Sequence, residues 1–389
     1  MKHLLTALLM ASALTCMAES PFRQYIAMAV NNSLEVASTE ARNEAADAMA
    51  RAENAPEGPE LEFEHLWASS SSDKKWNIGL TQELSFPGLY RARSQAADSR
   101  AEASAIVLFG IKADKALNAK LAMLDIIHAH GRRKLYPTIH DNLSRIADLT
   151  QRQYAGGNAT ILSLRKMQLA VLDNESAIAT IDTDIEGLFA SLAGSGVVVP
   201  AKDTDLWNEY PLQTFDKDDS ATDAYLRSLA ESTDRANKAE ARAVRMQAWP
   251  TLALGYRHAF EENQHFNGLS ISLRLPSFSQ SKRRRAAALE ARAATLDVTE
   301  TDLRTKTEET GLKATAEKLS EEIARYRELL GDDSYLRLLA KSYDGGELNV
   351  IDYLQEINLY TESRLNYLDL LYRYNLALAR LNRYRSMDF

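Results

Sequence analysis

The chain has 389 residues, with 46 Lys and Arg against 54 Asp and Glu, and a formal net charge of −8. This mildly acidic balance argues against nucleic acid as a partner, because a nucleic-acid-binding surface needs an excess of basic residues. The single cysteine, Cys16, excludes a fold held together by disulfide bonds, so stability must come from packing and assembly.

The N-terminal segment has the pattern of a secretory signal peptide, with a basic start at Lys2 and an apolar run over residues 4–14. We expect cleavage after Ala18, so that residues 1–18 are the signal peptide. A lipidated N-terminus at Cys16 is the alternative, since the letters ALTC outline a lipoprotein cleavage site. No later segment approaches the ~20 consecutive apolar residues of a membrane-spanning helix, so any entry into a bilayer must be as strands.

Residues 20–54 are rich in alanine and place apolar side chains three and four positions apart, which predicts helix. The period then changes to two. In WNIGLTQELSF, which starts at Trp76, alternate residues are apolar except for Gln82, so this strand has one apolar and one polar face. LEFEHLW, which starts at Leu61, is its expected hairpin partner.

A second hairpin has the same pattern. GLSISLRLP, from Gly268, alternates apolar and polar residues, and TLALGYRHAF, from Thr251, precedes it. The links ASSSSDKK and EENQH are polar, as expected of loops in water. The chain therefore supplies four strands in two hairpins.

Long helical segments follow each hairpin. Residues 90–153 and 281–342 are rich in Ala, Leu, Arg and Glu, and each predicts a rod on the order of 90 to 100 Å. Pro137 should kink the first rod. From Val350 to Leu381, apolar and aromatic residues step by three and four, which predicts a coiled-coil seam in which the tyrosines pack rather than stack on a ligand.

Two similar glycine motifs mark the chain reversals after the rods. YAGGNATILSL starts at Tyr154 and YDGGELNVIDYL at Tyr343, 189 residues later. Glycine accepts the left-handed backbone angles that end a helix, so we expect a helical hairpin turn at each motif. Thr160 and Asn349 stand where an N-cap belongs, and Asp352 is placed to favour the start of the last helix.

The offset indicates a duplicated unit. We expect a first repeat over residues 19–193, with the order helix, hairpin, long helix, turn and return helix, and a second repeat over residues 219–389. Residues 194–218 contain two prolines and no helical period, so we expect an irregular connector that packs outside the rods. Its content of Val, Leu, Trp and Tyr is too high for a flexible linker.

Strand counting predicts assembly. Four strands cannot close into a barrel, since even the smallest barrel filled by side chains takes about eight. An open edge in a bilayer would leave backbone groups unpaired in hydrocarbon, so strands must pair between copies. Three copies would give twelve strands, with apolar faces toward lipid and polar faces toward a lumen, whereas two copies would leave no usable duct.

These features resemble the TolC-type outer-membrane efflux proteins over essentially the whole mature chain. The segments that carry the resemblance are MAVNNSLEVA, ELSFPGLYRAR, RLPSFSQSKRR and the two glycine motifs. YDGGELNVIDYL with RLNYLDLLYRYNLALARL is most similar to the outer-membrane components of cobalt-zinc-cadmium efflux pumps. The fold expected is mainly α with a small β part, in which four strands per chain contribute to a shared twelve-strand transmembrane β-barrel above a periplasmic α-helical barrel.

The resemblance implies a homotrimer in the bacterial outer membrane that contacts outer-membrane lipid, a periplasmic membrane fusion protein and an inner-membrane pump. The glycine turns would form the periplasmic tip that docks the fusion protein, through Tyr154, Gly156, Gly157, Asn158, Tyr343, Gly345, Gly346 and Glu347. Asp352 matches a position where an acidic ring, one residue per copy, narrows the tunnel entrance. A second family aspartate is replaced by Gln355, and Ser163 is uncharged in the first repeat, so a smaller acidic ring is expected.

The histidines and a basic run are the remaining candidates for binding sites. His128 and His130 lie two apart on a helix and point apart, and His65, His258 and His265 lack cysteine or paired carboxylates nearby, so no metal site is expected. The basic run from Lys282 to Arg285, with Arg91 and Arg93, either contacts lipid phosphates at the periplasmic face or simply begins a solvated helix.

No nucleophile or phosphate-binding motif is present, so neither an enzyme nor a cofactor is expected. The function predicted is a passive outer-membrane exit duct of a tripartite efflux pump, with heavy-metal cations as a candidate substrate. The alternatives are a type I secretion or multidrug exit duct of the same fold, and a periplasmic coiled-coil adaptor.

Overall fold

A computed structural model describes residues 22–67, 74–199, 204–211, 221–261, 264–275, 279–330 and 334–385. The predicted signal peptide and Cys16 lie outside these residues. The described chain is mainly helical with four strands, as expected. In chain order its elements are α1 (Arg23–Asn31), α2 (Leu34–Glu53), β1 (Glu60–Trp67), β2 (Lys74–Leu84), α3 (Pro87–Ala155), α4 (Ile161–Gly194), a 3₁₀ helix (Thr204–Asn208), α5 (Ala221–Met246), β3 (Thr251–Glu261), β4 (Gln264–Arg274), α6 (Gln280–Leu330), α7 (Ser334–Asp344) and α8 (Val350–Leu381).

The chain divides into two compact units. The helical unit contains the described residues of Met1–Ser33, Lys112–Asp219 and Glu308–Phe389. The sheet unit contains those of Leu34–Ile111 and Ser220–Thr307. Each predicted sequence repeat contributes to both units, so the repeats are not separate globular domains. None of the described helices has an apolar stretch long enough to cross a membrane.

The four strands form one antiparallel sheet in the order β1-β2-β3-β4, so the two predicted hairpins lie side by side. Across the sheet, Phe63 is opposite Ile78, Ile78 is opposite His258, and His258 is opposite Asn267. This register keeps the alternate apolar residues of all four strands on one face. That face is exposed in the single chain, with Leu61 71% and Leu269 86% accessible.

The opposite face of the sheet is polar and its charges are paired across strands. Arg257 on β3 lies 3.4 Å from Glu62 on β1, and Arg274 on β4 lies 2.8 Å from Glu83 on β2. Gln82, the one polar residue in the apolar row of β2, donates its amide to the carbonyl of Glu57 at 2.7 Å. The polar side chain that interrupts the apolar row is therefore hydrogen-bonded to a nearby backbone carbonyl.

One predicted continuous helix is replaced by a pair of helices. Residues 20–54 contain α1 and α2, and Asn32 between them donates its side-chain amide to the carbonyl of Gly196 at 2.7 Å. The second long helical segment is described as α6 and α7, and residues 331–333 lie outside the described residues. The carbonyl of Leu330 at the end of α6 accepts from Arg364 at 3.1 Å.

The predicted coiled-coil seam on α8 is confirmed as a packing surface. Tyr353 and Tyr360 are buried, with Tyr353 edge-on to Tyr343 at 5.2 Å between ring centroids. Tyr360 stacks on Tyr335 at 5.6 Å. Helix α3 continues through Pro137.

The described part of the connector contributes a buried side chain to the core of the helical unit. Trp207 in the 3₁₀ helix is 1% exposed, and its ring meets Phe22 at 5.4 Å and Phe189 at 5.3 Å in edge-on contacts. These rings extend a buried cluster from α1, α3 and α4 that includes Met123 and Ile126.

We expect Trp207→Ala to lower the free energy of unfolding by about 3–5 kcal/mol, because removal of a buried ring leaves a cavity among α1, α3 and α4. The measurement is urea denaturation of the purified protein, followed by far-ultraviolet circular dichroism. Val198→Ala is the control, since Val198 lies in the same connecting segment but is 70% exposed. Equal unfolding free energies for the two variants would show that the connector does not contribute to the core.

Candidate functional site

The two glycine turns have the same backbone conformation. Gly157 after α3 and Gly346 after α7 both have φ of 76°, in the left-handed region that glycine adopts without steric cost. Gly156 and Gly345, the first glycine of each pair, do not have positive φ values. The left-handed turn predicted from sequence is thus confirmed, and the second glycine of each pair provides it.

Backbone hydrogen bonds close each turn in the same way. An N–H three residues past the last helical residue reaches back to a carbonyl in the last turn of the helix, as in a Schellman motif. The corresponding bonds are Asn158 N–H to the Gln153 carbonyl (2.7 Å) with Gly157 N–H to Tyr154 (3.0 Å), and Glu347 N–H to Ser342 (3.0 Å) with Gly346 N–H to Tyr343 (3.0 Å).

The helices that leave the turns begin with the predicted N-caps. The hydroxyl of Thr160 accepts from the N–H of Ser163 at 3.1 Å. The side-chain oxygen of Asn349 accepts from the N–H groups of Ile351 at 2.8 Å and Asp352 at 3.0 Å. The Asn349 amide also donates to the Asp352 carboxylate at 2.6 Å. Asp352 therefore has a role in stabilising the helix start, whatever else it does.

The residues expected to form the docking tip differ in exposure. Tyr154 and the first-turn residues Gly156, Gly157 and Asn158 are exposed. Gly345, Gly346 and Glu347 of the second turn are exposed as well. Tyr343, in contrast, is buried against Tyr353 and belongs to the core next to the turn. The two motifs thus share a backbone and differ in what their tyrosines contact.

An ion pair that the sequence analysis missed joins α3 to α7 near the second turn. The Arg145 guanidinium donates to both carboxylate oxygens of Asp344, at 2.8 and 3.1 Å. The position of Asp344 directly before the glycine pair is visible in the sequence. Its partner Arg145 is 199 residues away, and no sequence pattern identifies it. Both side chains are partly exposed, so the pair orients the helices more than it stabilises them.

The hydroxyl of Tyr335 connects α7 and α8 near the second turn. Tyr335 donates to the Glu356 carboxylate at 2.5 Å. This hydrogen bond, with a smaller effect of burial, raises the pKa of Tyr335 to about 12. Burial raises the pKa of Tyr353 to about 12. Both tyrosines are therefore neutral at physiological pH.

A groove of about 370 Å³ runs between α3, α4 and α8 beside the tip. Its apolar wall includes Leu143, Leu169 and Leu354, and Lys166 and Asp173 stand at its polar side. Asn174 also lines it and is 6% exposed, and its side-chain oxygen has no hydrogen-bond partner within the described part of the chain. No sequence motif indicates this groove, because its walls come from three distant segments.

The histidines occupy packing and strand positions. His128 stacks on Tyr372 at 4.5 Å between centroids, and His130 lies 6.2 Å from Phe189. Burial lowers the pKa of both imidazoles. His258 and His265 lie next to each other on β3 and β4, with ring nitrogens 3.3 Å apart. Among the described residues, no group of three or more His, Cys, Asp or Glu side chains is arranged to hold a metal ion.

The predicted basic run begins α6. Lys282 and Arg283, Arg284 and Arg285 are all exposed. Arg91 is exposed near the start of α3, and Arg93 donates to the carbonyl of Glu53 at 3.0 Å.

Three solved structures are similar to this fold over nearly the whole chain. CusC, whose crystal structures concern transmembrane channel formation, has a TM-score of 0.72 at 15% identity, covering 94% of this chain and 92% of CusC. VceC, an outer membrane protein of Vibrio cholerae, has 0.74 at 14% identity, with 94% and 95% covered. The CmeC outer membrane channel of Campylobacter jejuni has 0.73 at 14% identity, with 95% and 86% covered.

At these identities the similarity shows the fold. No curated protein sequence matches the chain significantly. Residues 25–193, from α1 through α4, match the model of the family described as outer membrane efflux protein. The matched segment includes the first hairpin, the first long helix and the first glycine turn, and the fold repeats these elements in the second half. Residues 25–193 are therefore similar to the outer membrane efflux protein family, and the solved structures show that nearly the whole chain has the fold of such channels.

Proposed function

We propose that three copies of this chain form the exit duct of a tripartite efflux pump, which passes substrate passively through the outer membrane. The observation that carries the proposal is the four-stranded sheet with an exposed apolar face and a polar face of paired charges. β1 and β4 are its edges, and each has a backbone row without a partner strand in the described chain.

Pairing between copies removes both edges. β1 and β4 run antiparallel, so β4 of one copy can pair with β1 of the next in the same alternating pattern. Because side chains alternate along a strand, only registers that keep Leu61 and Leu269 on the same face bury no charge in lipid. Three copies then give twelve strands, the polar faces of which enclose a lumen wide enough for a substrate.

The helical unit continues the duct on the periplasmic side in this proposal. Its glycine turns are exposed and rigidly hydrogen-bonded, as a docking tip for a membrane fusion protein requires. In this proposal the duct is passive, and the energy for transport comes from an inner-membrane pump.

Reconstitution tests the duct directly. The mature chain, refolded with outer-membrane lipid, should migrate as a trimer and give single-channel currents in planar bilayers. A folded single subunit that stays monomeric in detergent, or a mature chain that is freely soluble without detergent, would contradict the proposal. A soluble chain that bound the fusion protein would instead support the adaptor alternative.

We propose heavy-metal cations as the cargo, with a secreted protein or an organic drug as the alternatives. The support is the resemblance of the second turn and α8 to metal-efflux components, together with Asp352 beside the turn. Deletion of the gene should then sensitise cells to divalent metals and leave susceptibility to organic drugs unchanged. The reverse result would assign the duct to a multidrug system and leave the channel itself intact.

Asp352→Asn should raise the relative permeability of the channel to anions and weaken its block by divalent cations, if an acidic ring narrows the entrance. Loss of one favourable charge at a helix N-terminus should cost less than about 1 kcal/mol of stability, so the variant should fold. Ion selectivity in planar bilayers is the measurement. Asp173→Asn, the same change on the exposed side of α4, is the control, and identical selectivity in both variants would exclude the entrance role.

Tyr154→Ala should weaken binding of the membrane fusion protein by about 2 kcal/mol or more, as for an aromatic anchor in an interface. Because Tyr154 is 43% exposed, stability should change by at most about 0.5 kcal/mol. Tyr154→Phe, which keeps the ring, should retain most of the affinity. The measurement is binding of the purified fusion protein to channels in nanodiscs, and full affinity in Tyr154→Ala would remove Tyr154 from the docking surface.

A further inference from the structure

Two histidines meet on the sheet near the end of the second hairpin. His258 is on β3 and His265 is on β4, and Nε2 of His258 lies 3.3 Å from Nδ1 of His265. In the register of the two strands His258 is opposite Asn267, and His265 precedes Asn267 by two residues. The two histidines are therefore diagonal neighbours whose side chains lie on the same face of the sheet.

The facing nitrogens have the separation of two ligands of one metal ion. The ring centroids are 5.4 Å apart, with an interplanar angle of 26°, so the nitrogens at 3.3 Å point into the gap between the rings. Imidazole nitrogens bind Zn²⁺ at about 2.0–2.1 Å in tetrahedral sites, where two such ligands are about 3.3 Å apart. The positions of the rings thus already match those of a metal-binding pair.

Hydrogen bonds behind the pair fix the tautomer of His258. Its Nδ1 is 2.7 Å from the side-chain oxygen of Asn267, and the hydroxyl of Tyr256 donates to the same oxygen at 2.7 Å. Because this oxygen is an acceptor, Nδ1 of His258 carries the proton and Nε2 presents its lone pair toward His265. Histidines that bind metal ions almost always donate their other ring nitrogen to an oxygen in this way.

The surroundings leave the pair accessible and neutral. His265 is exposed and His258 is half-buried, so water can reach the gap between the rings. The charges at this end of the sheet are paired with each other, with Lys75 lying 2.8 Å from Glu261. A bound cation would therefore be held by the imidazoles and by solvent, and it would exchange readily.

We propose that His258 and His265 form a binding site for a divalent transition-metal ion, with Zn²⁺ as the best geometric match and water at the open coordination positions. Imidazole suits Zn²⁺, Cu²⁺ and Ni²⁺, whereas Mg²⁺ and Ca²⁺ take oxygen ligands, so the site should select against these two. The bound ion links β3 to β4. The pair is on the apolar face, opposite the polar face that would line the proposed duct, so the site does not rest on the proposed function.

Equilibrium dialysis of Zn²⁺ against the full chain, purified in detergent without a polyhistidine tag, tests the site. His258→Gln and His265→Gln should each weaken Zn²⁺ binding by at least about tenfold, because each removes one of the two protein ligands. His65→Gln is the matched control, since His65 is exposed on the same sheet but lies opposite Trp76, and it should bind as the unsubstituted chain does. Unchanged affinity in the first two variants, an equal loss in the control, or displacement of Zn²⁺ by excess Mg²⁺ would overturn the proposal.

Asn267 is a positioning residue in this site. Asn267→Leu should weaken Zn²⁺ binding about 10–100-fold while both ligands remain, because it removes the oxygen that orients His258. Asn267→Asp, which keeps an acceptor at this position, should retain the affinity. Equal affinity in Asn267→Leu and the unsubstituted chain would remove the positioning role.

Cu²⁺ counts the bound rings directly, and it binds such nitrogen sites more tightly than Zn²⁺. Electron spin-echo envelope modulation of the Cu²⁺-loaded chain should show two coordinated imidazoles, and one in His265→Gln. This measurement on the unsubstituted chain does not depend on how any variant folds. A single imidazole in the unsubstituted chain, or no bound copper, would leave the pair as a hydrogen bond between strands and overturn the proposal.

Discussion

The unpaired edges of a four-stranded sheet constrain this molecule more than any other feature. A strand edge carries free N–H and carbonyl groups, and in a nonaqueous environment each unmet group costs several kcal/mol. The sheet also exposes an apolar face that one chain does not cover. In the proposed assembly both demands are met by the same event, in which copies pair edge to edge and turn their apolar faces outward. Assembly would then complete a sheet that the single chain leaves open at β1 and β4.

The strands and turns were predictable because their signals are local. Alternation of apolar and polar residues over eight to eleven positions identifies a strand. Gln82 is an exception to the alternation in β2, and its side-chain amide donates to the backbone carbonyl of Glu57. The glycine motifs likewise specify a left-handed residue and a cap within a few positions. Helix length was less predictable, since the alanine-rich composition of residues 20–54 did not show that α1 ends at Asn31 and a separate helix begins at Leu34.

Long-range contacts were beyond the reach of the sequence. The Arg145–Asp344 pair and the groove beside the tip bring together segments that are far apart in the chain, and no pattern within either segment identifies the other. The burial of Tyr343 is of the same kind, because an identical position in the first motif leaves Tyr154 exposed. In the connector, the apolar composition argued only against a flexible linker, and nothing in it indicated that Trp207 packs into the cluster formed by α1, α3 and α4.

The difference between the two tyrosines has a consequence for stoichiometry. A threefold assembly presents six hairpin turns of one backbone shape, but only three of them offer an accessible phenol ring. A partner that recognises only the backbone shape of the turn would have six binding sites. A partner that also contacts the exposed ring of Tyr154 would have three. Binding of such a partner would therefore occur in two stages of unequal strength, even though the chains are identical.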